Sequence, residues 1–229
     1  MHPTPASKDN TTRLAFDCSV VGVSVALRHE GRVYARRDYS GNKQAGQLLP
    51  MIEAVLAEAC VGYKDITGLL TTHGPGSFTG IRIGLAAAQG ILAAQAMEIS
   101  TITTLEATGF SAIKRGITEP FWVAFNAGKG EIYAQLFHVK QCQPVFAGDI
   151  QLISPDAFMA MIASDDRLAG NAATLLPMID ADRWIIDAHL PDAADFVYAN
   201  APLTRPEALV PLYIRAPDAK LPAVPLPLE

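Results

Sequence analysis

The sequence predicts an α/β protein. Three observations carry this. Residues 66–70 form an apolar run that enters the glycine–proline turn His73-Gly74-Pro75-Gly76-Ser77, and an Ala-rich segment at residues 85–94 follows, which is a strand–turn–helix signature. Residues 13–39 alternate apolar and polar positions around glycine-containing turns, as a meander does. Past residues 116–120 a strand–polar turn–strand pattern starts again.

The elements follow in order. Residues 13–17 are apolar and end in Asp17; residues 22–28 alternate Val23, Val25 and Leu27 with smaller side chains; residues 32–39 leave the turn His29-Glu30-Gly31. Residues 44–59 place Leu48, Leu49, Ile52, Val55, Leu56 and Ala59 at helical spacing with Glu53 and Glu58 opposite. Pro50 lies in the first turns of that helix, where a missing N–H costs little. The strand at 66–70 and a helix over residues 80–97 come next, then a strand at 99–104 and a helix at 105–115. Residues 121–125 and 131–139 are strands around the turn 126–130, with Asn126 standing where Asp17 stood. Beyond Cys142 only short elements rich in Ala, Asp and Pro are legible. The expected organisation is a disordered extension at 1–12, one lobe at 13–116, a smaller lobe at 117–216 and a proline-rich tail at 217–229.

The turn at residues 72–84 admits two roles. Backbone N–H groups at a helix N-terminus suit an anion such as phosphate, with Ser77 or Thr79 as cap and Gly74 and Gly76 allowing close approach. No lysine lies in the turn and the P-loop pattern is absent, so a P-loop is excluded. Alternatively Gly80, Gly84 and Ala88, four residues apart, form a smooth ridge for a backbone of the same chain or of a partner.

Composition narrows the class further. Of 229 residues, half are hydrophobic and 18% are charged, which predicts a sizeable core. The net charge of −5 argues against autonomous tRNA or other nucleic-acid binding. The one basic cluster, Arg28, Arg32, Arg36, Arg37 and Lys43, reads as solvated strand edges or as a contact to RNA or an acidic partner. The most apolar stretch, residues 83–97, is too short for a membrane span, and residues 1–12 lack the apolar centre of a secretory signal. Cys18, Cys60 and Cys142 are scattered, so buried free thiols in a reducing cytoplasm are expected rather than a zinc or disulfide framework.

The segment Gly74-Pro-Gly-Ser-Phe-Thr-Gly-Ile-Arg-Ile-Gly84 resembles the signature of the bacterial TsaB (YeaZ) family. Leu14-Ala-Phe-Asp-Cys-Ser19, Gln47-Leu-Leu-Pro-Met-Ile52, Gly130-Glu-Ile-Tyr133 and Pro211-Leu-Tyr-Ile-Arg215 resemble its other segments in the right order, so the likeness covers residues 13–222. It implies a two-lobed actin/Hsp70/sugar-kinase-like (ASKHA) fold with mixed sheets flanked by helices. It also implies a cytoplasmic, non-catalytic subunit that pairs with a TsaD-like catalytic subunit and a TsaE-like ATPase for threonylcarbamoyl transfer to tRNA. No cofactor is required by that role, with ATP or ADP held weakly or at a complex interface.

The resemblance places the partner interface on the two long helices, at Leu48, Leu49, Ile52, Val55, Leu56, Gly80, Ile83, Gly84, Ala87, Ala88 and Ile91. The same surface would serve a homodimer, and a Gly84→Arg change is expected to abolish either pairing. Ala45-Gly46-Gln47 departs from the family's usual His or Glu-His before Leu-Leu-Pro. Asp17 with Gly74, Gly76, Ser77 and Thr79 forms the candidate nucleotide or anion site. Family members often have Asp-Ala-Arg where this chain has Asn126-Ala127-Gly128, which removes a charge that a divalent cation would use. His2, His29, His73, His138 and His189 include no pair one helical turn apart, so no metal site is expected. Ser77 lacks the Gly-x-Ser-x-Gly elbow of a nucleophile. Two other functional classes stay open: an independent ATPase or small-molecule kinase of this fold, and a homodimeric regulatory protein.

Overall fold

The computed structural model describes residues 11–41 and 43–215. Strands β1 (Arg13–Asp17), β2 (Val23–His29) and β3 (Arg32–Asp38) form an antiparallel meander. Helix α1 (Gln44–Glu58) leads to β4 (Gly68–Thr72), α2 (Phe78–Ala94) and β5 (Glu98–Ile102). β4 pairs parallel with both β1 and β5, giving the order β3-β2-β1-β4-β5.

Helix α3 (Thr104–Lys114) then crosses to a second meander, β6 (Phe121–Gly128), β7 (Glu131–Lys140) and β8 (Gln143–Phe146). β9 (Gln151–Ile153) pairs with β7, α4 (Pro155–Met161) follows, and β10 (Arg167–Ala169) lies parallel to β6. The second order, β10-β6-β7-β8, repeats the first order β4-β1-β2-β3 strand for strand. The echo between the two halves of the sequence is thus a structural duplication.

Alternation along the strands builds five layers. Leu14 and Phe16 face α1 and α2, packing with Leu48, Ile52, Val55, Ile81 and Leu85, while Ala15 faces the opposite side with Phe110 and Phe196. α3 lies between the sheets: Ala107 and Phe110 meet the first, Leu105 and Ala112 the second. That double burial explains why Thr104, Thr108 and Ser111 are buried beside its apolar residues. Its start is fixed by a capping box, Thr103 accepting from Glu106 N and Glu106 from Thr103 N. Trp122, Ala124, Ile132 and Ala134 pack on Phe158, Leu176 and Ile179 to form the outermost layer.

Several expectations are corrected. The strand expected at 66–70 is displaced to Gly68–Thr72, because residues 63–65 turn as a short 3-10 helix that ends at Ile66. α2 starts at Phe78, where Ser77 caps it, and stops at Ala94. The expected extension at 1–12 lies mostly outside the described residues, but Thr12 is buried and its N–H donates to Thr67 Oγ1 at 3.1 Å. The tail at 217–229 lies wholly outside them. Of the three cysteines only Cys18 is buried; Cys60 and Cys142 sit exposed in turns with φ of 57° and 58°.

The division at residue 117 also needs revision. The short helix α5 (Ala193–Phe196) and Val197 and Ala199 pack on the first sheet, and Leu209 enters the core beneath α1 and α2. The first lobe is therefore completed by residues that come after the second.

Candidate functional site

The glycine turn connects β4 to α2 and packs on the turn that leaves β1. A Cβ at Gly76 would lie 2.0 Å from the carbonyl oxygen of Ser19, and one at Gly80 2.0 Å from that of Cys18. Ser77 N donates to Ser19 O at 2.7 Å, and Ser77 Oγ accepts from Gly80 N at 3.2 Å. Gly74, at φ 114°, lies against Leu212 O, which a Cβ would approach to 2.7 Å. These glycines are needed for backbone-to-backbone contact within the chain. Gly84 and Ala88 are buried on the same inner face, so the ridge Gly80–Gly84–Ala88 receives the chain's own first strand.

Asp17 is 2% exposed. Its Oδ1 accepts from Ser19 N at 3.1 Å, Ser19 Oγ at 2.5 Å and Thr72 Oγ1 at 2.5 Å. Burial pushes its pKa above the usual carboxylate value, and the three hydrogen bonds pull the other way. The carboxylate thus ties the end of β1 to β4 and to the turn that follows β1.

Between the lobes lies a cavity of about 330 Å³. One wall is Val20, Val21, Pro75, Gly76 and Ser77; the other is Phe125, Asn126, Ala127, Gly128 and Tyr133. The two duplicated turns thus face each other. Of the expected anion-site residues, Gly76 and Ser77 line the cavity; Asp17, Gly74 and Thr79 are not part of its lining. Among the described residues, no lining side chain carries a charge. Asn126 is exposed, its Oδ1 accepting from Gly128 N at 2.8 Å and its N–H donating to Asn171 Oδ1 at 2.9 Å.

The expected interface residues separate by face. Leu48, Ile52, Val55, Leu56, Gly80, Gly84, Ala88 and Ile91 are buried in the chain's own core. Leu49 is 48% exposed, and Ile83 and Ala87 are half-buried. The apolar spacing located the inward stripe, because an amphipathic helix buries its most regular apolar face. Gly84→Arg would therefore strike the core beside Cys18, Thr71 and Phe16 rather than a partner.

The outward surface is a groove of about 580 Å³ between α1 and α2. Ala45, Leu49, Tyr63, Ile83, Ala86, Ala87, Gly90 and Ala94 line it, with Leu48 and Ile91 beneath. Tyr63, Ala86, Gly90 and Ala94 were not among the interface residues expected from the sequence, and Ala45 was noted only as a departure from the family's pattern. A signal existed: Ala86, Gly90 and Ala94 repeat every four residues, parallel to the inner ridge with the row Ile83–Ala87–Ile91 between them. At the rim Gln47 Nε2 donates to Asp38 Oδ2 at 2.5 Å.

The basic cluster is partly engaged within the chain. Arg36 pairs with Glu58, Arg37 with Asp192, and Arg28 lies over the Tyr198 ring. Among the described residues no group of three or more His, Cys, Asp and Glu side chains is placed to hold a metal ion. No described helix is long and apolar enough to cross a membrane.

A family model described as TsaD, tRNA N6-adenosine threonylcarbamoyltransferase, matches residues 40–177. The solved YeaZ of Pseudomonas aeruginosa superposes with a TM-score of 0.79 at 26% identity, covering 89% of this chain and 100% of that one. The chain belongs to the TsaB/YeaZ family. Its fold is accordingly the actin-like ASKHA type. A protein from Haemophilus influenzae named tRNA threonylcarbamoyladenosine biosynthesis protein TsaB is 32% identical over 124 residues, which is 54% of this chain and 52% of the relative. The Escherichia coli protein of the same name is 32% identical over 120 residues, 52% of each. The chain spans about half the length of these curated TsaB relatives.

Proposed function

We propose that this chain is a scaffold subunit in tRNA threonylcarbamoyladenosine biosynthesis, which pairs through the α1–α2 groove with a TsaD-like catalytic subunit. A TsaE-like ATPase joins the pair. The single observation that carries the reading is the groove. Two long helices bury one face in the core and present a second surface of alanine, glycine and a few large apolar side chains. Small residues let a partner helix approach closely, and the exposed Leu49 and Tyr63 supply apolar anchors at its edge. A stable specific pairing buries about 1,600 Å² in total, which two helices meeting two helices can supply.

A scaffold acts by linkage: it favours one conformation of its partner only through its greater affinity for that form. Support for a non-catalytic role comes from Asp17, whose Oδ1 is taken by Ser19 and Thr72 and which is nearly closed to solvent. The independent ATPase reading needs that carboxylate at a nucleotide. ATP or ADP, if held, would bind weakly in the interlobe cavity or at the edge of the complex. The homodimer reading uses the same groove, with a second copy as the occupant.

The test is size-exclusion chromatography with light scattering on the full chain, alone and with its own TsaD-like subunit, assaying ATP turnover on each peak. Gly90→Arg is the variant, because nothing lies within 4 Å of a Cβ at Gly90 and the groove receives it. The expected result is a one-to-one complex with no turnover by the lone chain. Gly90→Arg should weaken pairing at least tenfold while leaving the chain at least as stable as the wild type, since arginine is the better helix former. A lone chain that hydrolyses ATP, or a complex indifferent to Gly90→Arg, would overturn the proposal.

A further inference from the structure

Residues 203–215 contain Pro206 and Pro211, with Pro202 just before them. Proline supplies no backbone donor and disfavours longer helix, so the segment is irregular apart from one 3-10 turn at Pro206–Ala208. It is tied to the first lobe at several points along its length. Leu203 bridges to Ser100, and Thr204 N donates to Ile99 O at 2.7 Å, beside the outer strand β5. Leu209 is buried at 3% exposure in the core under α1 and α2. Leu212 N donates to His73 O at 2.7 Å, and the His73 ring hydrogen-bonds the Val210 backbone. Tyr213 stacks on Phe78 with ring centroids 5.6 Å apart and receives Arg82 Nε on its hydroxyl at 3.0 Å.

Two residues later the chain is on the other lobe. Ile214 packs with the cluster that contains Phe125 and Tyr133, and Arg215 pairs with Glu131 and donates to Gly128 O at 3.1 Å. The Arg215 side chain is 21% exposed, and its Nε is buried without a partner of its own. Two residues of extended chain reach about 7 Å at most. Tyr213 holds the first turn of α2, beside Ser77, and Arg215 holds the β6–β7 turn at Gly128. Ser77 and Gly128 stand on opposite walls of the interlobe cavity.

We propose that residues 203–215 are a strap across the two lobes, and that Arg215, gripping Gly128 O and Glu131, is the latch that sets how far the interlobe cavity opens. While the latch holds, the two walls are joined through two residues of backbone and the side chains of Tyr213 and Arg215, so they can part only as far as those contacts allow. When it releases, the β6–β7 turn is free to swing from the glycine turn, and the strap stays anchored on the first lobe through Leu209 and Leu212. The inference stands on the contacts of the strap and is independent of what binds in the α1–α2 groove.

Hydrogen exchange read by mass spectrometry tests it on the full chain, comparing the wild type with Arg215→Ala and with the milder Glu131→Gln. Loss of a charge-assisted contact of this kind should raise opening about tenfold. The expected result is that Arg215→Ala speeds exchange about tenfold in residues 126–131 and in residues 76–79. Glu131→Gln should produce a smaller rise in the same segments, while residues 203–212 and the strands keep their protection. Unchanged exchange at 126–131 in both variants would overturn the latch. So would a uniform rise over every segment, which is the mark of lowered global stability.

Discussion

The inner and outer faces of α2 are both lined by small residues, and they do opposite things. The inner face, Gly80–Gly84–Ala88, is closed against β1 and the turn after it; a Cβ at Gly80 would lie 2.0 Å from the Cys18 carbonyl oxygen, and Gly84 and Ala88 are buried. The outer face, Ala86–Gly90–Ala94, opens on a groove where a Cβ at Gly90 meets nothing within 4 Å. A four-residue spacing of glycine and alanine marks close approach in general. Whether the approaching backbone belongs to the chain or to a partner depends on which stripe the core has already used.

The largest effect that would break this comparison belongs to Gly80→Ala. Its Cβ would fall 2.0 Å from a backbone oxygen, so the strand and helix must separate, at a cost of about 3 kcal/mol or more in urea unfolding. A small loss there would show that the inner face is not closed. Next comes Asp17→Ala, which strands the buried donors of Ser19 and Thr72 and should cost about 2 kcal/mol. Asp17→Asn keeps an acceptor and removes a buried charge, so it should retain most of that stability and leave partner pairing intact; lost pairing would return Asp17 to a functional role.

On the outer face the sign reverses. Gly90→Ala fills open space and raises helix propensity, so it should stabilise by about 0.5–1 kcal/mol in the same assay. The smallest effect comes from His73, at the inner end of the turn, where burial lowers the pKa below the usual 6.5. The folded state then binds the proton less readily than the unfolded chain. The contribution is complete above pH 6.5 and is lost as the pH falls through that value toward the folded pKa. Urea midpoints between pH 7.5 and 5.5 should therefore fall in the wild type and fall less in His73→Gln.

Much of the fold was legible because its elements are local. Alternating Val23, Val25 and Leu27 and helical Leu48 to Leu56 each reveal themselves within a few residues, and the cap of α2 was narrowed to Ser77 or Thr79. The region after Cys142 was not legible. β9 and β10 are three residues each, and their pairing with β7 and β6 is set by tertiary contact rather than by any periodic pattern. For the site, periodicity found the helices, and the residues that the resemblance gave to the interface fall mostly on the stripe the core uses, since burial pattern and partner pattern look alike in one dimension. Thr72, which holds Asp17 from 55 positions away, carries no local signal of that role.

The late return of the chain to the first lobe has a consequence for how the protein is made. β1 occupies the middle of its sheet, and the face bearing Ala15, Ala26 and Leu70 is covered by Phe196, Val197 and Ala199. Ala107 and Phe110 of α3 cover only part of it, so during synthesis the ribosome must deliver nearly two hundred residues before the cover is complete. Until then an apolar sheet surface stands open to chaperones, or to other nascent copies of itself. A fragment that ends at residue 116 would keep that vulnerability for good.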